Sequence, residues 1–160
     1  MRPRWHNDHE LLAAVAGKIH ADNATRHRAL FARKKITRVA AIEAVRVTFT
    51  ISCSWGAIAA LAPTPVWIDD PDTGGAWPYE RRQMLSEAAE VARRAAEAMP
   101  HCFETVGFAD AVDTLIWWER PKPKGHRRGS EPRRRAGAPR RDMAHDDHIG
   151  GPEAPEWHAE

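Results

Sequence analysis

The sequence predicts an α+β fold: a small single domain over residues 1–119, with a helical N-terminal part, a small sheet that includes a strand at 45–55, and a helix at 78–99 packed across that sheet. Three observations carry this expectation. Apolar residues recur at helical spacing near the N-terminus, residues 45–55 alternate between apolar and polar, and a long alanine-rich segment opens with a proline. Residues 120–160 read as a disordered charged tail, because Pro121, Pro123, Gly125, Gly129, Pro132, Gly137 and Pro139 recur too closely for helix or strand.

The first helix is expected from Asn7 to about His20, with Asn7 as N-cap and Glu10 as its capping-box partner; Leu11, Leu12, Val15 and Ile19 share one face. Asp22 or Asn23 caps a second helix through Lys35. Its apolar group of Ala29, Leu30 and Phe31 is thin among Arg26, Arg28, Arg33, Lys34 and Lys35, so it belongs on the surface. A third helix begins at Thr37 and runs through Val39, Ala40, Ile42 and Glu43, with no evident end.

In residues 45–55, Val45, Val47, Phe49, Ile51, Cys53 and Trp55 alternate with Arg46, Thr48, Thr50, Ser52 and Ser54, the pattern of a strand with one buried face. The β-branched and aromatic content agrees with a strand. A short helix at 57–62 stopped by Pro63 and a short strand at Val66, Trp67 and Ile68 follow, ahead of a turn-rich stretch from Asp69 to Gly75. Pro78 suits the first position of the helix at 78–99, and Leu85, Ala88, Ala89, Ala92, Ala95, Ala96 and Met99 form its stripe of small residues. The segment 108–118 fits helix and strand equally well.

Charge is unevenly distributed. Residues 1–119 carry 14 Lys or Arg against 15 Asp or Glu, residues 120–141 carry 10 against 1, and residues 142–160 carry none against 6, so the net charge of +2 conceals a basic and an acidic block. Blocks of like charge resist collapse. The two cysteines, Cys53 and Cys102, read as free thiols, and the N-terminus lacks the apolar run of a secretory signal, which points to the cytoplasm. A membrane span at 47–68 is disfavoured because Thr48, Thr50, Ser52 and Ser54 interrupt one half and Pro63 and Pro65 the other.

The candidate chemistry is mainly electrostatic. Arg127, Arg128, Arg133, Arg134, Arg135, Arg140 and Arg141 in the basic tail, with Arg33, Lys34 and Lys35 in the folded part, can neutralise phosphates without a fixed geometry. If roughly five tail cations met phosphates, the log–log salt slope of binding would be near −4 to −5. There is no helix-turn-helix spacing and no aromatic stacking signature. Asp69, Asp70 and Asp72 are weak candidates for a divalent cation through oxygen ligands, His6 and His9, His145 and His148, and the lone His20 and His27 for a transition metal, and Cys53 for a nucleophile; each also has a plain structural reading, and no cofactor is expected.

The expected function is therefore a non-enzymatic accessory protein that contacts nucleic acid through the basic tail. The alternative is a protein–protein interaction or assembly module using exposed tryptophans and the alanine-rich helix, and a metal-dependent enzyme at the Asp cluster comes third.

Overall fold

A computed structural model describes residues 1–121, and they contain helices and turns but no strand. The expected arginine sites at 127–141 and the acidic block beyond them lie outside the described residues. The α+β expectation is thus corrected to an all-helical one.

Asp8, rather than Asn7, opens the first helix, its carboxylate accepting from Leu11 N at 3.0 Å. Helix α1 then runs without a break from His9 to Ala32, through the polar residues read as a cap for a second helix. Asn23 has a different use: its Nδ2 donates to Ala44 O at 2.9 Å and to Thr48 Oγ1 at 3.2 Å on the neighbouring helix. A five-residue link over 33–37 leads to Thr37, whose Oγ1 accepts from Ala40 N at 3.2 Å and caps helix α2, Arg38–Ala59.

Helix α2 absorbs the residues read as a strand. The alternation over 45–55 was compatible with both structures, because Val47, Ile51 and Trp55 stand both an even number of residues apart and at helical i,i+4 spacing. The remaining buried positions are Thr48 and Thr50, which the strand reading assigned to solvent. Both hydroxyls are satisfied inside the helix, Thr48 Oγ1 donating to Val45 O at 2.9 Å and Thr50 Oγ1 to Arg46 O at 3.0 Å. Phe49, assigned to the buried face, is instead 45% exposed.

The connector contains two short 3₁₀ turns, Val66–Asp69 and Pro71–Thr73, where a second strand was expected. Gly75 is required at its end, since a Cβ there would overlap the carbonyl oxygens of Trp67, Ile68 and Asp70. Helix α3, Pro78–Ala98, matches the expected 78–99 helix, and α4, Phe103–Glu119, resolves the ambiguity at 108–118 as helix.

The four helices pack as two hairpins, α1 on α2 and α3 on α4, with α1 also touching α4 and α2 touching α3. The alanine stripe of α3 therefore meets helices, not a sheet. Leu12, Val15, Ala16 and Ile19 of α1, Val47, Ile51 and Trp55 of α2, Leu85, Ala89 and Ala92 of α3, and Ala109, Ala111, Val112 and Leu115 of α4 make the core. Among the described residues no helix is long and apolar enough to cross a membrane.

One buried guanidinium ties the connector to both ends of the second hairpin. Arg81, 7% exposed, donates from Nη1 to Asp69 at 2.6 Å and to Ala76 O at 2.9 Å, while its Nε lies 3.3 Å from both Glu119 oxygens. Arg46 makes a comparable tie from α2, bonding Glu80 at 2.7 Å, Glu43 at 2.8 Å and the carbonyl of Gly75.

Candidate nucleic-acid interface

The core occupies only part of the first hairpin. Ile19 is the last buried residue of α1 and Val47 the first of α2, and no residue from 20 to 46 is buried. The intervening halves of α1 and α2 form a two-helix arm held to itself by polar contacts at its root. There Thr48 Oγ1 gives its proton to Val45 O and so accepts from its other neighbours: Asn23 Nδ2, and His20 Nδ1 at 3.2 Å. Burial pushes the pKa of His20 down, and its Nδ1–H is the donor to Thr48.

At the far end of the arm, residues 26–38 include Arg26, Arg28, Arg33, Lys34, Lys35 and Arg38, with no carboxylate among them. The partnering of cations differs sharply between arm and body. In the body, Lys18 pairs with Asp22, Arg46 with Glu43 and Glu80, Arg81 with Asp69 and Glu119, Arg93 with Asp113, and Arg94 with Glu90. At the tip, Arg26, Arg33, Lys34, Lys35 and Arg38 make no ion pair with any described carboxylate.

The end of α1 explains how these side chains are presented. Lys34 N donates to Phe31 O at 2.8 Å and Lys35 N to Leu30 O at 2.9 Å, a Schellman closure with Lys34 at the left-handed position, φ 54°. Glycine is the usual residue there, so a lysine is held in a conformation that L-residues avoid. The partial negative charge at the end of α1 and the partial positive charge at the start of α2 meet in this turn and offset one another. The field at the tip is therefore set by side chains.

Arg33, Lys34 and Lys35 are thus brought together with Arg38 at the exposed turn, while Arg28 and Arg26 follow one and two turns back along α1, Arg26 beside a cavity that Glu87 and Glu104 also line. The structure adds one residue that the sequence reading passed over. Phe31, grouped there with Ala29 and Leu30 as a thin apolar face, is 44% exposed and lines a shallow cavity of about 510 Å³ with Ala32, Lys34, Lys35, Ile36 and Thr37. The only available signal was its position inside the basic cluster.

The weaker candidates have structural employment. Asp69 bonds Arg81, and Asp70 accepts from Asp72 N at 3.0 Å as the cap of the second 3₁₀ turn. Among the described residues no three His, Cys, Asp or Glu side chains gather as metal ligands. His6 stands edge-on to Trp117, and His9 to Trp118. Cys53 is half-buried and its thiol pKa is raised by burial, the wrong direction for a nucleophile. Of the described tryptophans only Trp77 is largely exposed, at 48%; Trp55, Trp117 and Trp118 pack edge-to-face on one another. No protein-family model matches the chain, and no curated protein or solved structure matches it.

Proposed function

We propose that this chain is a non-enzymatic accessory protein that contacts the phosphate backbone of nucleic acid through the tip of the α1–α2 arm, with the arginines of residues 127–141 as a second contact. The single observation that supports this reading most is the segregation of cations. Five guanidinium or ammonium groups at the tip have no carboxylate partner among the described residues, whereas the body pairs most of its own. Unpaired cations clustered on a protruding element repel one another, and a polyanion relieves that repulsion while releasing its own counterions.

The test is fluorescence anisotropy of a labelled oligonucleotide against the full chain over a range of salt. Binding at low salt should weaken linearly in log–log form, and R33E/K34E/K35E should make the slope shallower by about 2 to 3, from three lost phosphate contacts at roughly 0.7–0.9 each. Absence of binding at low salt, or a triple variant that binds like the native chain, would refute the proposal.

A further inference from the structure

Resting on that reading and extending it to the class of nucleic acid, we infer that the tip selects unpaired strands, with Phe31 as the platform on which a base stacks. Phosphates alone would satisfy the cations, whether in a duplex or a single strand. They give no role to an aromatic ring in their midst. Phe31 is the one aromatic residue between His27 and Phe49, it is nearly half exposed, and no other ring packs on it among the described residues.

Its surroundings suit a nucleotide. Phe31 and Ile36 give the shallow cavity its apolar lining, and Lys34 and Lys35 line the same cavity with cations, so one face of a base could lie on it beside them. A base in a duplex hides its faces in the stack, so only an unpaired base can offer one to the ring. A cationic track with an aromatic face set in it is the general arrangement of sequence-tolerant single-strand binders. The left-handed Lys34 fits the same account, because a glycine would close the helix more comfortably but would remove one of the cations that line the cavity.

The experiment compares a poly-dT oligonucleotide with a duplex carrying the same number of phosphates, using the full chain, F31A and F31W. The native chain should prefer poly-dT. F31A should lose about 5- to 150-fold in affinity for poly-dT, the span of one base–aromatic stack, while its duplex affinity and salt slope stay unchanged, and F31W should retain the preference. Contributions from the tail are common to all three proteins and cancel in the ratio. An unaltered poly-dT affinity in F31A, an equal loss on both substrates, or a native preference for duplex would overturn the inference while leaving the phosphate-binding proposal standing. Failure of that proposal has a separate signature, since neither substrate would then bind.

Discussion

Leu61→Gly should stabilise the fold, although it removes a large apolar side chain. Helix α2 ends as α1 does: Leu61 N donates to Ile58 O at 3.1 Å and Ala62 N to Ala57 O at 2.9 Å, with Leu61 left-handed at φ 54°. An L-residue there costs about 1–2 kcal/mol, and glycine gives back roughly 0.5–1 of this through its greater freedom in the unfolded chain. Leu61 is 91% exposed, so almost no burial is lost. The net gain is about 0.5–1 kcal/mol, equivalent to roughly 2–4 °C in Tm for a domain of this size. Urea and thermal denaturation followed by circular dichroism read both quantities. A variant equal to or less stable than the native chain would refute the argument that the turn is strained. Lys34→Gly relieves the same strain at the tip, but it should also weaken oligonucleotide binding, whereas Leu61→Gly should leave binding untouched.

Three further outcomes follow from the packing. Arg81→Ala should cost about 3 kcal/mol in urea denaturation, because it leaves Glu119, with a side chain 14% exposed, and the carbonyl of Ala76 without their donor; Arg81→Met should recover part of this by filling the space. The hydrogen bond from Arg46 holds Glu80 below the ordinary carboxylate range, so its stabilisation is complete above the unfolded pKa and disappears as pH falls through the folded one. The stability gap between the native chain and Glu80→Gln should therefore close in that acid window, and a gap independent of pH would contradict the assignment. Amide exchange should divide α2 in two, with residues 47–55 protected at the level of global unfolding and residues 38–44 exchanging faster through local opening, even though the helix has no break.

What could be read from the sequence depended on whether a residue's partner was near in the chain. Pro78 and the alanine stripe identify α3 because start signal and packing face lie within one segment, and Thr37 marks the start of α2 for the same reason. Thr48 and Thr50 misled because their hydroxyl protons go to carbonyls of their own helix, which lets polar side chains sit in buried positions. Asn23 looked like a cap, yet its partners are Ala44 and Thr48 on the next helix. Asp69 looked like a cation ligand, while the group that it serves is Arg81, twelve residues on. The basic cluster was visible as composition, whereas its unpaired state and the exposure of Phe31 depend on where the hairpin outruns the core.

That overrun also decides whether a polyanion can approach the domain at all. Residues 1–38 carry nine Lys or Arg against three Asp or Glu, and residues 39–119 carry five against twelve, so the body taken alone would repel phosphates. Distance reduces the conflict. From His27, which still lines a cavity with Glu87 and Glu104, to Ala32 the helix rises about 8 Å at 1.5 Å per residue, roughly one Debye length at physiological ionic strength. Phosphates at the tip would thus meet Arg33, Lys34, Lys35 and Arg38 at close range, with the acidic surface of α3 and α4 partly screened. At low salt the screening length grows to roughly 30 Å at 0.01 M, and the repulsion from the body then offsets part of the attraction, so the observed salt slope should flatten at its dilute end.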